Sequence, residues 1–315
     1  MGSRGVEARD AVGDGTGQSL LRAAGAVAGA GAAVLAYGGL VERTAYTLRR
    51  LELPVLSPRA APFRVLHLSD LHMTPGQHGK QAWLRDLARL VPDLVVLTGD
   101  VLSHRDAHRP ALDALEPLLD RPGAFVPGNN DYYLPRLKNP LRYFVGREAV
   151  PRRQPDLDWA PFAAELAGAG WSDLTNRRTS MSIAGRTIDV RGVDDPYSRR
   201  DRLGAVAGPA DSEADLRLGL AHAPEPRVLD AWTADGLDLV LAGHTHGGQV
   251  RLPGIGAVVT NSGIDRARAR GLSRYGARGR TSWLHVSAGL GTSPYSPIRL
   301  GCRPEATLLS LTPVR

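Results

Sequence analysis

The chain has 315 residues and a formal net charge of +7 at pH 7, with 39 basic and 32 acidic side chains. Apolar residues make up 43% of it, enough to bury the core of a domain of roughly 250 residues. Its single cysteine excludes an intramolecular disulfide and the disulfide-rich class of small secreted proteins. We therefore expect one globular domain with an N-terminal appendage.

The first element in chain order is an apolar stretch near the N-terminus. Residues 1–19 are polar and rich in glycine and charge, so we expect them to be disordered. Residues 23–41 carry no charge, and these 19 residues can just span the hydrocarbon layer as a helix. We predict a transmembrane anchor over residues 20–41, with a cleaved signal peptide or an amphipathic soluble helix as alternatives. Three prolines predict that residues 42–62 form a connector.

Basic residues on either side of this stretch predict its orientation. Three arginines precede it, and four follow it before residue 60. The more basic flank of a membrane helix tends to stay in the cytoplasm. The pattern therefore predicts a single-pass membrane protein whose following domain, residues 63–315, is cytoplasmic.

Five apolar runs in the rest of the chain predict buried strands. They are short and are bounded by Gly, Pro or Asp, as buried strands are. The runs are residues 65–68, 94–97, 124–126, 216–221 and 237–242. Helical patterns over residues 81–91 and 110–119 fall between the first three runs, which indicates βαβ units with parallel pairing.

Side chains that bind metals follow these five runs in a fixed order. The motifs are Asp70-Leu71-His72, Gly99-Asp100, Gly128-Asn129-Asn130-Asp131, His222 and Gly243-His244-Thr245-His246. Each motif alone is a weak signal, because Asp-x-His and Gly-Asp arise by chance and a lone histidine is usually a core residue. Together they supply seven oxygen and nitrogen ligands, enough for two ions. Parallel strands would gather them at one sheet edge.

The ordered motifs resemble those of the calcineurin-like metallophosphoesterase superfamily, from about residue 64 to about residue 313. The run GHTHGGQ at residues 243–249 resembles a bacterial, membrane-associated branch, some of whose members cleave phosphodiester or pyrophosphate bonds in lipid-linked substrates. The resemblance implies an α/β fold of four layers, αββα. Two mixed β-sheets would pack face to face, with a dinuclear metal site at one sheet end.

The resemblance also implies how the ligands divide between two divalent metal ions, Mn, Fe or Zn. One ion would be held by Asp70, His72 and His246, the other by Asn129, His222 and His244, with Asp100 bridging both. Mixed carboxylate, amide and imidazole ligation suits these ions and leaves room for water, unlike the thiolates of structural zinc. Two ions about 3.5 to 4 Å apart would activate a shared hydroxide to attack phosphorus in line.

Three residues are predicted to be catalytic, namely Asp100, Asn130 and Asp131. Many members of the family have histidine at position 130, placed to assist the phosphate and the leaving group. An asparagine amide donates a hydrogen bond but cannot transfer a proton. Leaving groups that depart as stable anions should therefore be least affected, unless Asp131, Tyr132 or a metal-bound water takes over the role.

The expected substrate is a phosphorylated small molecule or a lipid-linked phosphoester. Four residues near the motifs are candidate substrate contacts, namely Tyr132, Arg136, Lys138 and His104. Residues 132–159 form a long segment between predicted elements, which favours a flap at the substrate entrance, with packing against the core as the alternative. Asp194 and Asp195, after a predicted hairpin centred on residues 185–186, are interpreted as a turn pair, although the family resemblance implies that such a loop lies near the site.

The positive charge keeps a rival function open. A soluble nuclease or cyclic-nucleotide phosphodiesterase would explain it and would bind with a steep salt dependence. However, nearly all of the basic residues are arginine, with only two lysines, in a chain that is also rich in Ala and Gly. This general bias in composition explains part of the positive charge. We therefore expect that nucleic acid is not a partner. A non-catalytic scaffold is disfavoured because all seven ligands are present. The oligomeric state is not predicted.

Overall fold

The computed structural model describes residues 13–137 and 154–314. The α-helices of this part are α1 (Gly13–Ala36), α2 (His78–Asp86), α3 (His108–Leu115), α4 (Ala160–Gly168) and α5 (Pro226–Asp235). Its first seven strands are β1 (Thr47–Leu56), β2 (Phe63–Leu68), β3 (Leu94–Thr98), β4 (Gly123–Val126), β5 (Ser172–Asp173), β6 (Arg177–Ile183) and β7 (Arg186–Gly192). The later strands are β8 (Leu216–Leu220), β9 (Leu239–Ala242), β10 (Arg251–Leu252), β11 (Gly256–Ala257), β12 (Gly271–Ala277), β13 (Arg280–Val286) and β14 (Glu305–Pro313).

These strands form two six-stranded mixed sheets and a small hairpin, β10–β11. The first sheet has the order β1-β14-β2-β3-β4-β5, and β14 runs antiparallel to β2. The second has the order β12-β13-β9-β8-β7-β6, with antiparallel pairs at its two edges. The pairs β2–β3, β3–β4 and β8–β9 are parallel. The carboxyl ends of these strands therefore meet at one end of each sheet.

The five strands predicted from apolar runs are all present, with bounds within two residues of those expected. Alternate residues of each strand face two different layers of core, which explains why both faces are apolar. Along β3, Leu94 and Val96 pack between the two sheets, whereas Val95 and Leu97 pack under the helices of the first sheet. On the far side, Trp232 of α5 packs on the second sheet. The order helix, sheet, sheet, helix confirms the four-layer expectation.

The expectation that residues 42–62 form a connector is wrong. Residues Thr47–Leu56 form β1, which pairs in parallel with β14 at the edge of the first sheet. Arg49 of β1 makes an ion pair with the buried carboxylate of Glu305. Pro54 suggested a break in structure, but an edge strand tolerates proline where its missing N–H would face away from the sheet. The folded domain therefore includes β1.

The N-terminal helix α1 begins at Gly13, within the stretch expected to be disordered, and residues 1–12 lie outside the described residues. Within the described part of the chain, one helix is long and apolar enough to cross a membrane, Gln18–Thr44, with a mean hydropathy of 1.6. Only 6% of this stretch is buried. At its domain end, Gly38 is buried and accepts a hydrogen bond from the Arg299 N–H at 3.2 Å.

Candidate metal centre

The seven predicted ligands follow the carboxyl ends of five neighbouring strands. Asp70 and His72 follow β2, Asp100 follows β3, Asn129 follows β4, His222 follows β8, and His244 and His246 follow β9. Both sheets therefore contribute, and the packing of one sheet on the other brings the two sets of loops together. Four of these residues, Asp70, His72, Asp100 and His246, place their ligand atoms within 4.8 Å of one another.

A first group of ligands surrounds the Oδ2 atom of Asp100. His72 Nε2 lies 3.5 Å from this oxygen and 3.1 Å from His246 Nε2. His246 Nε2 lies 3.5 Å from Asp70 Oδ1. All four residues are buried. Two imidazole nitrogens that face each other so closely beside two carboxylates need a shared proton or a cation between them.

A second group faces the other oxygen of Asp100. His222 Nε2 lies 3.3 Å from Asp100 Oδ1 and 3.2 Å from His244 Nδ1. Among the described residues, the buried Oδ1 of Asn129 has no hydrogen-bond partner. An unpaired buried oxygen of this kind costs about 1 to 3 kcal/mol, and ligation of a cation would remove that cost. Asp100 therefore presents one oxygen to each of two ligand groups.

Backbone carbonyls fix the orientation of two imidazole rings. His222 Nδ1 donates to Thr98 O at 2.8 Å, and His246 Nδ1 donates to Gly291 O at 3.2 Å. A carbonyl only accepts, so Nδ1 carries a proton in both rings, and the Nε2 atom of each ring, which binds an ion when it is unprotonated, faces the centre. Outer hydrogen bonds of this kind orient the histidine ligands of metal sites.

Burial and neighbouring charges set the protonation states of the ligands. Burial lowers the pKa of His72 to about 4 and of His244 to about 3, so both rings are neutral at pH 7. Burial raises the pKa of Asp70 to about 6. The carboxylates of Asp100 and Asp70 outweigh burial and raise the pKa of His222 well above its ordinary value, and the charge of His222 in turn holds the carboxyl pKa of Asp100 well below its ordinary value. The neutral rings of His72 and His244 are in the state that divalent ions bind, whereas His222 would lose a proton on binding an ion.

The backbone around the ligands is strained and tightly packed. Five ligands have a left-handed backbone, with φ of 51° at Asp70, 42° at His72, 52° at Asp100, 68° at His244 and 49° at His246. Such conformations cost about 1 to 3 kcal/mol each and persist only where surrounding contacts enforce them. A Cβ atom at Gly128 would collide with Asp100, and one at Gly243 with Asp70. The loops are therefore shaped to aim these side chains.

A family model described as calcineurin-like phosphoesterase matches residues 63–248, more than half of the chain. This chain belongs to the calcineurin-like phosphoesterase family. It is a metal-dependent phosphoester hydrolase, and the cluster of histidines and aspartates described above is where it could hold metal.

Relatives of this phosphoesterase cover most of the chain. Phosphodiesterase YaeI from Escherichia coli (strain K12) is 31% identical over 84% of this chain and 88% of its own length. A transmembrane protein with metallophosphoesterase domain from Bos taurus is 28% identical over 83% of this chain and 56% of its own length. The structure of a 5'-nucleotidase precursor from Thermus thermophilus aligns with 79% of this chain and 55% of its own, with 13% identity and a TM-score of 0.44. The sequence matches carry the family assignment.

Two residues predicted to be catalytic have distinct surroundings in this phosphoesterase. The backbone N–H of Asn130 donates to Asp100 Oδ1 at 2.8 Å, and its side-chain amide donates to Oδ2 at 2.5 Å. Asp131 is fully buried and accepts three backbone N–H groups, at 2.8 to 3.0 Å, from the loops after β3 and β4. Asp131 therefore positions these loops, and its predicted catalytic role stays a prediction, whereas Asn130 touches the carboxylate that the ligand groups share.

Tyr132 is buried, and its hydroxyl donates to Asp194 Oδ1 at 3.0 Å. The guanidinium of Arg200 lies 3.7 Å above its ring. The tyrosine therefore joins the segment after β4 to the loop after β7. That loop also reaches the centre, since the ring of Tyr197 lies 4.4 Å from the ring of His244. Tyr132 was predicted as a substrate contact, whereas Tyr197 and Arg200 belong to no motif and were not predicted.

The other predicted substrate contacts have local partners. Arg136 is exposed and pairs with Asp156 at 3.5 Å. His104 accepts the Asp106 N–H at 3.1 Å and so caps a short 3-10 turn. Lys138 lies outside the described residues, as does most of the proposed flap. The side chains of Arg136 and His104 are not part of the ligand cluster.

Arg299 is a residue of the centre that no sequence pattern indicated. Its side chain is fully buried, and Nη2 donates to the carbonyls of Ala288 and Gly291, both at 2.7 Å. The same nitrogen lies 3.4 Å from His246 Nδ1, which itself donates to Gly291 O. Arg299 therefore orders the loop that orients a ligand. A lone arginine far from the motifs gives no local signal of such a role.

Proposed function

We propose that this phosphoesterase is a dinuclear metallohydrolase that acts at a membrane surface on a phosphodiester or pyrophosphate bond of a lipid-linked substrate. The observation that carries the dinuclear assignment is the position of Asp100, whose two oxygens face different groups of ligands at 3.3 and 3.5 Å. A carboxylate placed in this way is suited to bridge two ions. The sequence matches support the family and the hydrolase activity. The number of ions, the roles of the residues and the class of substrate are our proposals.

The residues present fit two borderline divalent ions, Mn²⁺, Fe or Zn²⁺. The proposed division is Asp70, His72 and His246 for one ion, Asn129, His222 and His244 for the other, and Asp100 for both. The fit rests on the facing Nε2 atoms of the first group and on the unpaired oxygen of Asn129. Nitrogen and oxygen donors without thiolate select these ions. When bound, two such ions polarise the phosphate and activate water for in-line displacement.

The side chain of Asn130 bears on which bond is cleaved. It is partly exposed and donates to Asp100, so it lies at the rim of the centre, where a phosphate oxygen could replace this partner. Its amide can stabilise charge on a phosphate but cannot protonate a departing oxygen. Leaving groups that are stable as anions suit this centre best. This supports a pyrophosphate or an activated diester over a simple alkyl ester.

The membrane location is proposed from α1 and from the relatives. The helix is apolar, exposed and long enough to span a bilayer. Two of the relatives carry the printed name transmembrane protein with metallophosphoesterase domain. The excess of arginine after the helix favours a single-pass protein with a cytoplasmic catalytic domain. Fusion of a reporter that fluoresces only in the cytoplasm to the C-terminus tests this orientation, and a dark fusion of full length would contradict it.

A substrate screen tests the proposed activity most broadly. Full-length protein with Mn²⁺ should hydrolyse nitrophenyl phosphodiesters and lipid pyrophosphates, and turnover should be weaker on nitrophenyl monoesters and on nucleotides. Preference for polynucleotides or cyclic nucleotides, with binding that falls steeply as salt increases, would instead support the rival nuclease or cyclic-nucleotide function. Absence of turnover on every phosphoester, in protein shown to hold metal, would contradict both.

A further inference from the structure

An exposed apolar tip lies beside the domain end of the N-terminal helix. The hairpin β10–β11 turns through residues 252–256, where Leu252 is 41% exposed and Ile255 is 68% exposed. Tyr295, which is 54% exposed, precedes Ser296, whose hydroxyl donates to Gln249 Oε1 at 3.4 Å just before the hairpin. Exposed apolar side chains of this size on one region of a surface mark a contact site for a membrane or a protein. We call the side chains of Leu252, Ile255 and Tyr295 the apolar tip.

One extended segment connects the hairpin to the helix. The Arg299 N–H donates to Gly38 O at 3.2 Å, which joins the segment to the end of the N-terminal helix. The next residue bonds to the hairpin side, because the Leu300 N–H donates to Gln249 O at 2.9 Å and Leu300 O accepts the Arg251 N–H at 2.8 Å. Hydrogen-bonded segments lie about 5 Å apart, so the hairpin base and the helix end are separated by roughly 10 Å.

The same segment places the metal centre next to this surface. The turn His246–Gly248 leads directly into the hairpin, and Arg251 Nη1 donates to Gly247 O at 3.1 Å. Movement of the hairpin would therefore shift the position of the ligand His246. A surface that contacts the bilayer here would hold the centre close to the lipid headgroups.

Two arginines lie next to the contact between the helix end and the extended segment. The Glu42 carboxylate accepts the Cys302 N–H at 2.7 Å, so the residues that follow these two, Arg43 and Arg303, are close in the backbone. Arg303 is exposed. Arginines near an apolar surface can bind anionic headgroups.

We propose that the apolar tip inserts into the interface of the same bilayer that the N-terminal helix crosses, and that it thereby holds the metal centre against the headgroup layer. The proposal rests on the membrane location proposed above. Two observations select a lipid bilayer as the occupant, namely continuity with an apolar helix of spanning length and the arginines beside it. The interaction gives the enzyme a second contact with the membrane, so that a lipid-linked phosphate reaches the centre without leaving the bilayer.

A single-cysteine labelling experiment tests this directly. The natural Cys302 is the only cysteine of the chain and is buried, so an added surface cysteine can be labelled selectively with the polarity-sensitive dye NBD. Full-length Ile255→Cys is compared with Leu35→Cys on α1 and with Val91→Cys. Val91 is an exposed apolar residue that precedes β3, at the sheet end opposite the metal centre. Each protein is placed in vesicles of phosphatidylcholine and phosphatidylglycerol that contain a doxyl-labelled lipid.

We expect the dye at positions 255 and 35 to shift its emission to the blue and to be quenched by the doxyl lipid, and the dye at position 91 to stay water-like. Quenching at 35 without quenching at 255 would overturn the apolar tip while leaving the anchor intact. Absence of quenching at both would overturn the anchor and the tip together. Equal quenching at 91 would show nonspecific adsorption and would also overturn the proposal. Turnover of a soluble nitrophenyl diester confirms that each labelled protein is folded.

Discussion

The amide of Asn130 contacts the shared carboxylate Asp100 at 2.5 Å, in a position where many family members have an imidazole. Asn130→His would add a group that can protonate a leaving oxygen. We expect turnover to increase more for alkyl esters, whose leaving oxygens are basic, than for aryl esters or pyrophosphates. General acid assistance is worth about 10² to 10⁴-fold, and a transplanted histidine without supporting contacts should give a fraction of that.

The informative quantity is the ratio of the two increases, measured with matched alkyl and aryl diesters. Asn130→Gln is the control, because it keeps an amide and adds no acid. Equal effects of histidine on both substrates, at unchanged metal content, would show that position 130 does not assist the leaving group.

Arg299 acts on the centre through the loop that holds His246. Arg299→Lys keeps the charge but cannot donate to several carbonyls at once in the same plane. We expect Mn²⁺ affinity to fall about 10 to 100-fold, as for other outer partners of metal ligands. Calorimetric titration of the metal-free protein measures this.

Arg280→Lys on the exposed hairpin β12–β13 is the matched control. Loss of thermal stability with unchanged metal affinity would assign Arg299 a merely structural role.

His285 is buried between the sheets, where its Nδ1 lies 2.9 Å from His67 Nδ1. Burial lowers the pKa of His285 to about 4, from an ordinary value of 6.5. Because the folded pKa is the lower one, the unfolded chain binds this proton first, and stability falls as the pH drops below 6.5. By linkage, the loss is about 2 kcal/mol between pH 7.5 and pH 5.

His285→Gln should remove this part of the acid sensitivity. Urea unfolding at the two pH values measures it, and titrating groups that do not contact His285 cancel in the comparison with the wild type. The same loss of stability in His285→Gln as in the wild type would contradict the assignment.

Among the elements, β1 is the first strand of the catalytic domain, so the domain begins before residue 47. Removal of residues 1–36 deletes α1 but keeps the turn that holds Gly38 and the whole of β1. Removal of residues 1–50 also deletes the Arg49 partner of Glu305, a fully buried carboxylate that also accepts the Ala288 N–H. We expect the shorter deletion to give a soluble protein that keeps turnover on soluble esters, and the longer one to be unstable.

Fractionation, thermal unfolding and diesterase assays of the two truncated proteins test this. Retention of the shorter variant in the membrane fraction would point to the apolar tip as a sufficient anchor. Equal stability and turnover of both variants would contradict the role assigned to β1.

The elements that position the ligands could be predicted because each is an apolar run that ends at a polar motif. β1 could not be predicted, because it contains Pro54 and alternates charged and apolar residues at a sheet edge. The helices that cover the first sheet were indicated by their periodicity, and their bounds moved by a few residues because each ends in a 3-10 turn.

At the scale of the whole molecule, the sequence predicted the ligand set, since the parallel strands of both sheets bring their following residues to one place. The sequence could not predict the residues that reach the centre from elsewhere. Arg299 and Tyr197 lie in loops without a motif, and only the packing of the two sheets brings them there. Asp131 stands inside a motif, yet its partners are backbone groups of a neighbouring loop, which a sequence pattern does not show.

The central claim is that phosphoester hydrolysis requires two ions held by the seven ligands, and a stoichiometric titration tests it most directly. Metal-free protein would be titrated with Mn²⁺ while bound metal and diesterase turnover are measured on the same samples. We predict that turnover rises to its maximum only as the second equivalent binds, and that Asp100→Asn loses several orders of magnitude in turnover and binds metal more weakly. Full turnover with one ion bound, or with none, would contradict the account.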